Sequence, residues 1–182
     1  MHYKRLKVEG GSYFFTVVTH KRRNLFLDGD LVALLDTAVA RVQERHPFEI
    51  EAQVVLPDHL HALWQLPAND ADYSTRWRLI KEAFTKEFVK RHGPTDANGP
   101  RRRRGEQVLW QRRFWEHLIR EDRDFGAHLD YIHLNPVHHG CVSAPRDWPH
   151  SSFAKWVSRG AYEPNWGSDE KPELPEWAKE FE

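Results

Sequence analysis

A tight reversal at residues 57–58 constrains the fold of this chain more than any other feature. Residues 48–56 and 59–66 are both predicted strands, and only Pro-Asp separates them. A connection this short joins strands as a tight turn, so the two segments are predicted to pair as an antiparallel hairpin. His59 and His61 then stand at the very start of the second strand, next to the turn.

The two histidines project from the same face of that strand. Successive side chains of a strand point to opposite faces, so His59 and His61 share a face and lie about 7 Å apart along it. Two imidazoles at this spacing can chelate one metal ion. The alternative is an ordinary sheet face, because His-X-His occurs by chance and uncharged histidine is common at partly buried positions.

A predicted helix late in the chain presents a phenol and an amide together. Acidic residues open it at positions 121–124, and Tyr131 and Asn135 are one turn apart on one face. Pro136 disfavours helical geometry at Asn135, so we expect the helix to end or bend there. His128, one turn before the tyrosine, is a candidate proton acceptor or a packing residue. His133, His138 and His139 are expected at the surface.

The predicted elements follow the order strand, helix, strand, strand, helix, strand, helix, tail. The strands are expected at 13–19, 48–56, 59–66 and 107–119. The helices are expected from the turn and cap at 28–30 to a point before Pro47, at 74–92 and at 121–135, with Ser74 as the cap of the second helix. Helical crossovers around a hairpin indicate a split β-α-β arrangement, a mostly antiparallel sheet with two helices packed on one face. The histidines must lie on the face that the third helix visits.

The chain is long enough for one domain with its own core and an appendage. We expect residues 1–142 to form that domain. Residues 143–182, punctuated by Pro and Trp and acidic at the end, are expected to form a tail across its surface that could compete with a polyanion. The lone Cys141 has no internal disulfide partner, and neither a signal peptide nor a membrane span is evident, so a cytoplasmic protein without membrane association is predicted.

A net charge of zero conceals a strong segregation of charge. From Arg76 to Arg113, twelve Lys or Arg face four acids, a local +8, whereas six acids face two lysines from Ser168 to Glu182. A local positive field favours polyanion binding, although a solvated helix face with a charged loop has the same composition. The predicted contacts to such a polyanion are Arg101, Arg102, Arg103, Arg104, Arg112, Arg113 and Lys81. Candidate stacking platforms are Trp64, Trp110 and Trp115, although such aromatics are more often core.

Two motifs in this order resemble those of a known transposase family. Residues 57–61, Pro-Asp-His-Leu-His, look like the HUH motif, in which a hydrophobic residue separates two histidines. Residues 131–137, followed by Gly140, resemble the nucleophile helix of the single-tyrosine HUH transposases. Three further segments have the look of that family: 13–19, 110–115 and 148–152. Within it, the chain is most similar to the REP-associated tyrosine transposases over roughly residues 1–157.

The resemblance implies an α/β (α+β) fold, a ferredoxin-like split β-α-β sandwich with helices on one face of the sheet and the nucleophile helix near the other. It implies an endonuclease and strand transferase that cleaves and rejoins single-stranded DNA at hairpin, REP-like sequences through a 5′-phosphotyrosine intermediate formed by Tyr131. His59, His61 and Asn135 would hold a divalent ion, Mg²⁺ or Mn²⁺. Such a transposase is expected to act as a monomer, with a homodimer as the alternative.

Two other functions stay open at this point. A non-catalytic nucleic-acid binding protein derived from this fold would use the same sheet and basic segment without forming a covalent adduct. A phosphoesterase that uses His59 and His61 alone would cut without covalent capture. The second is disfavoured because position 63 is Leu, which leaves no third alternating histidine, and because no second His-X-Thr motif follows.

Overall fold

A four-stranded sheet forms the centre of the protein in the computed structural model, which describes residues 6–95, 108–168, 175, 177 and 178. Its strands are β1 (Ser12–Val18), β2 (Glu49–Val55), β3 (His59–Gln65) and β4 (Trp115–Leu118). Their spatial order is β2-β3-β1-β4, and every neighbouring pair is antiparallel. This is the split β-α-β arrangement predicted from the sequence.

Two long helices, α1 (Gly29–Arg45) and α2 (Tyr73–His92), cover one face of the sheet. Every second residue of β1, beginning with Tyr13, packs against them, because strand side chains alternate between faces. The indoles of Trp64 and Trp77 stack at 4.2 Å between ring centroids and are almost fully buried. Such an aromatic pair contributes about 0.5–1.5 kcal/mol beyond the burial of its area.

A third helix, α3 (Asp122–His138), covers the opposite face. Phe14 of β1 and Leu63 of β3 pack there against Leu129 and Ile132 of the helix. Since His59 and His61 have the same strand parity as Leu63, they face α3 as well. The two layers of helices therefore place the histidines and Tyr131 on one side of the sheet and α1 and α2 on the other.

The segment after α3 adds a second layer of contacts along the outer edge of β2. It contains a short helix, α4 (Phe153–Ser158). Before α4, Val55 donates to the backbone oxygen of His150 at 2.9 Å, and Ser152 donates to that of Gln53 at 2.9 Å. Within α4, the indole of Trp156 donates to the backbone oxygen of Glu51 at 2.9 Å, where the register of β2 shifts. These bonds cover the edge of β2, which would otherwise be open to pairing.

The bounds of β1, β2 and β3 lie within one residue of the predicted ones, and three other features differ. Helix α2 begins at Tyr73 with Asp72 as its cap, which accepts from the backbone N–H of Thr75 at 3.1 Å, so the prediction of Ser74 as cap was wrong. The predicted extended segment 107–119 contributes only β4 and an isolated bridge between Thr19 and Trp110 among the described residues.

Helix α3 also differs, because it continues through Pro136 to His138. Proline lacks the N–H that would bond the preceding turn, but the turn after it is closed by the backbone N–H of His139, which donates to the oxygen of Asn135 at 3.0 Å. None of the described helices is both long enough and apolar enough to cross a lipid bilayer.

Candidate active site

The two histidines of β3 are buried and each is held by a hydrogen bond at Nδ1. His59 is 3% exposed, and its Nδ1 lies 2.6 Å from Oδ1 of Asp58. His61 is fully buried, and its Nδ1 lies 2.9 Å from the hydroxyl oxygen of Thr16, its cross-strand partner in β1. The rings are 4.9 Å apart between centroids. With each Nδ1 engaged, Nε2 of each ring is the nitrogen that can bind an ion or substrate.

Helix α3 brings the predicted phenol and amide to the same place. The phenol oxygen of Tyr131 lies 3.5 Å from Nε2 of His61, at the outer limit of a hydrogen bond. Asn135 follows one turn later and is fully buried. The four side chains predicted from the two motifs, His59, His61, Tyr131 and Asn135, thus lie on facing elements on one side of the sheet.

The chemistry of these groups fits a divalent cation. Neither the amide oxygen nor the amide nitrogen of Asn135 makes a hydrogen bond of normal geometry among the described residues, although its side chain is close enough to His61 to raise the pKa of that ring against the lowering by burial. Burying an amide without well-formed hydrogen bonds costs free energy of folding. An ion bound to the amide oxygen would provide that oxygen with a partner. Imidazole and amide ligands are neutral, so a divalent ion held by His59, His61 and Asn135 keeps a net positive charge that attracts phosphate.

The electrostatics of the site keep His61 neutral and Asp58 ionised. Burial lowers the pKa of His61 well below its usual range, and the nearby charges of His59, His139 and Arg22 lower it further. An uncharged ring offers its lone pair to an ion. Burial would raise the pKa of Asp58, but hydrogen bonds and charges from His59 and Arg22 outweigh it and lower that pKa. An ionised Asp58 accepts the Nδ1 proton of His59 and fixes the ring orientation.

A basic turn after β1 supplies a positive charge next to this site, which the sequence analysis missed. Lys21 and Arg22 both have positive φ, 57° and 49°. Residues with side chains rarely adopt such angles, and they persist where the surrounding structure enforces them. The guanidinium of Arg22 lies 3.2 Å from Oδ2 of Asp58. The run of three cations at 21–23 was visible in the sequence, but its position beside the histidines was not.

Aromatic side chains enclose Tyr131 on α3. Trp177, near the end of the chain, stacks on His128 at 4.0 Å and lies 5.0 Å from the ring of Tyr131. Phe14 lies 5.4 Å from His61 and 5.9 Å from Tyr131. The phenol is therefore only 2% exposed, and part of its cover comes from the C-terminal region.

Comparisons with known proteins agree with this geometry. Residues 7–135 match the family described as "Transposase IS200 like". The chain is 43% identical over 168 residues to a Haemophilus influenzae protein assigned to the REP-associated tyrosine transposases, covering 92% of this chain and 94% of that protein. It is 42% identical over 167 residues to the REP-associated tyrosine transposase of Escherichia coli K12, covering 92% and 91%.

This chain belongs to the REP-associated tyrosine transposases. A solved REP-associated tyrosine transposase bound to a REP hairpin has 40% sequence identity and a TM-score of 0.79, covering 95% of this chain and 94% of that one. The predicted family, fold class and transposase activity are thereby confirmed.

The predicted DNA contacts of this transposase occupy different parts of the structure. Arg101 to Arg104 lie outside the described residues. Arg112 and Arg113 are exposed in the segment that leads into β4. Lys81 lies on α2, across the sheet from Tyr131, where its ammonium donates to the backbone oxygen of Gln111 at 3.1 Å. The structure therefore does not bring Lys81 to the histidines.

Two polar side chains of the transposase are buried with partners from distant segments. Arg76, counted in the basic segment, is 2% exposed and pairs with Asp70 at 2.8 Å while donating to the backbone oxygens of His46 and Pro47. His133, expected at the surface, is fully buried and lies 2.9 Å from the hydroxyl of Ser152. The surface expectation for His133 was therefore wrong.

Three further side chains named in the sequence analysis differ in how deeply they are buried. Trp64 is core rather than a stacking platform, with 1% exposure. His139 is exposed, as expected, yet its ring lies 5.0 Å from that of His59. His128 is 2% exposed, and burial lowers its pKa to about 4.

Proposed function

We propose that Tyr131 of this transposase attacks a phosphodiester of single-stranded DNA beside a hairpin and forms a 5′-phosphotyrosine bond. The observation that carries the proposal is the 3.5 Å approach of the Tyr131 oxygen to Nε2 of His61, in a buried group that includes His59 and Asn135. These residues come from two motifs more than 70 positions apart in the chain, counted from His59 to Tyr131. A packed core alone does not require them to meet.

The reaction needs a phenolate, a phosphate in line with it and compensation of negative charge. A free phenol has a pKa near 10, so ionisation of Tyr131 needs positive charge nearby. The phenolate oxygen forms a bond to phosphorus and the bond to the 3′ oxygen breaks. The released 3′ oxygen takes up a proton, equivalent to the one that the phenol lost, and becomes a free 3′-hydroxyl. Because the phosphotyrosine bond stores the energy of the cut bond, attack by a 3′-hydroxyl restores a phosphodiester without ATP.

The chain's own residues position these groups. His59, His61 and Asn135 would hold a divalent ion, Mg²⁺ or Mn²⁺, which when bound polarises the scissile phosphate. Asp58 and Thr16 orient the two imidazoles through Nδ1. Arg22, paired with Asp58, adds positive charge beside the histidines. Phe14 and Trp177 limit the access of water to the phenol.

The substrate we propose is single-stranded DNA with a REP-like hairpin. A relative that is 40% identical over nearly all of its chain has been solved with a REP hairpin. Arg112 and Arg113, with Arg101 to Arg104, are the proposed contacts to the phosphate backbone, and Lys81 is a further proposed contact on the α2 side. All four site side chains come from one chain, which supports action as a monomer, and we propose that it acts in the cytoplasm.

The test is capture of the covalent adduct. Wild-type protein is incubated with a labelled hairpin oligonucleotide and Mg²⁺ or Mn²⁺, and SDS-resistant protein with bound DNA is measured on a denaturing gel. We expect an adduct in the wild type, none with EDTA and none for Tyr131→Phe. Tyr162→Phe is the matched control, because Tyr162 bonds to Asp130 instead of His61 and should leave the adduct unchanged.

The same assay separates the alternative, a non-catalytic binding protein. Binding of the hairpin measured by gel shift that survives Tyr131→Phe, with no adduct in wild type under any metal condition, would support binding without chemistry. Cleavage that persists in Tyr131→Phe would instead place the nucleophile elsewhere.

A further inference from the structure

A second group of metal-ligating side chains lies where β4 meets the first turns of α3. One ring nitrogen each of His117 and His128 and one carboxylate oxygen of Asp124 lie within 4.8 Å of one another. His117 belongs to β4, whereas Asp124 and His128 are one turn apart on α3. Two elements that the core already fixes therefore hold the three groups together.

We propose that His117, Asp124 and His128 form a separate metal site that takes one Zn²⁺ ion. Two imidazoles and one carboxylate are a ligand set of open four-coordinate zinc sites, in which water takes the fourth position. Mg²⁺ prefers oxygen ligands throughout, so nitrogen donors select against it. The side chains of His117 and Asp124 are 34% and 20% exposed, which leaves a path for the ion and room for a water.

Two of the three donors are already at ligand spacing. Ligands bound to one Zn²⁺ at about 2.0–2.1 Å in a tetrahedron are about 3.4 Å from each other. One carboxylate oxygen of Asp124 lies 2.9 Å from Nε2 of His117. The third donor is Nε2 of His128, and the ring of His128 must turn to bring it to the same point, because its Nδ1 lies on the backbone oxygen of Asp124.

The position of His128 points to a ligand beyond these hydrogen bonds. Its Nδ1 lies 2.9 Å from the backbone oxygen of Asp124, and metal-bound histidines commonly orient their rings in this way through the nitrogen that does not bind the ion. Its Nε2 is buried and has no hydrogen-bond partner among the described residues. The ring is also sandwiched, at 4.0 Å from Trp177 and 4.7 Å from His117.

A hydrogen-bond network without metal is the competing explanation. The carboxylate of Asp124 would then only tie the edge strand to the start of α3. An ion at the same place would make the same connection, and it would stiffen the helix that carries Tyr131. The two explanations differ in whether the protein takes up an ion at His117, which can be counted.

The experiment counts zinc bound to the full chain. Metal-free protein is titrated with Zn²⁺ by calorimetry, and the zinc retained after dialysis is measured by mass spectrometry. We expect two ions per chain in the wild type, one in His59→Ala/His61→Ala and one in His117→Ala. Combining the three substitutions in one protein should remove both zinc ions. In a second measurement, Co²⁺ bound to the His59→Ala/His61→Ala protein should give visible absorption bands. Adding His117→Ala to that protein should abolish these bands. The control His92→Ala, an exposed histidine on α2, should retain the full count.

Zinc uptake that His117→Ala leaves unchanged would overturn the second site, as would a wild type that binds a single ion lost in His59→Ala/His61→Ala. Asp124→Asn keeps a hydrogen-bonding side chain and should weaken zinc binding at this site at least tenfold. If His59→Ala/His61→Ala does not fold, which circular dichroism reveals, the comparison of wild type with His117→Ala still decides. The proposed ion site in β3 is tested separately. If that site does not bind zinc, the His59→Ala/His61→Ala protein should bind as many zinc ions as the wild type.

Discussion

The phenol oxygen of Tyr131 and Nε2 of His61 lie 3.5 Å apart, although 70 residues separate them in the chain. The contact is made across the face of the sheet that α3 covers, with His61 fixed from behind by Thr16. His61 and Tyr131 are therefore positioned by a strand pairing and a helix packing that are independent of each other. Substitutions can therefore perturb the strand pairing and the helix packing separately.

Thr16→Val should reduce the affinity of the site for Mn²⁺ by about 10–100-fold, because it removes the hydrogen bond that orients the ring of His61. Val has nearly the same shape as Thr, so the packing of β1 should persist. Thr16→Ser keeps the hydroxyl and should restore most of the affinity. Titration of each variant with Mn²⁺ in the adduct assay gives the measurement, and equal affinities for Val and Ser would show that this bond is unimportant.

Acid should destabilise the protein through its buried histidines. Burial lowers the pKa of His133 to about 3 and that of His128 to about 4. Above pH 6.5 these two imidazoles are uncharged in both the folded and the unfolded protein. Below pH 6.5 they take up protons in the unfolded chain but stay uncharged in the folded one. The free energy of unfolding should fall with decreasing pH, by about 1.4 kcal/mol per pH unit for each histidine between about pH 6 and 4.

Denaturant unfolding of His133→Gln at several pH values measures how much His133 contributes to the pH dependence of the free energy of unfolding. The variant should lose stability less steeply than wild type as the pH falls. Ser152→Ala is the matched control, because it removes the hydrogen bond to His133 but keeps the titrating ring. It should lower stability at every pH and leave the slope unchanged. A wild-type slope in His133→Gln would contradict the assignment.

Trp177→Ala should increase the rate of adduct formation, because the indole covers part of the ring of Tyr131 at 5.0 Å. Trp166→Ala is the control, since that indole packs on Tyr162 at 4.4 Å, away from the nucleophile. Initial rates of adduct formation at saturating hairpin DNA provide the comparison. If the two variants react at the same rate as wild type, the C-terminal region does not restrict access to the phenol.

Replacement of both Arg112 and Arg113 by alanine should weaken hairpin binding in a salt-dependent manner. Each phosphate contact to single-stranded DNA contributes about 0.7 to the slope of log K against log salt, so the slope should fall by about 1.4. Fluorescence anisotropy at several salt concentrations gives this slope. Arg41→Ala/Arg45→Ala removes two exposed cations of α1 and serves as the charge-matched control. If the slope of log K against log salt changes equally in both double variants, the effect comes from the overall charge of the protein and not from contacts of Arg112 and Arg113 with phosphates.

Local periodicities made the parts of the site predictable. Alternation along β3 places His59 and His61 on one face, and the helical repeat places Tyr131 and Asn135 on another, because neighbours a few residues apart determine both. The same reasoning predicted the hairpin around residues 57–58 and the element order. Bounds were less accurate, as at α3, where the final turn continues through Pro136 because backbone groups beyond the proline close it.

Sequence alone thus determined which side chains share a strand or a helix face, and the resemblance of its motifs determined the family. Tertiary structure decided which side chains surround them. Thr16 bonds to His61, Arg22 pairs with Asp58, and the buried His133 and Arg76 bond to partners in distant segments. These contacts depend on strand register and on packing between segments 19 to 45 residues apart or on the turn after β1. No local pattern encodes such long-range contacts, because they arise only when the whole chain closes around its core.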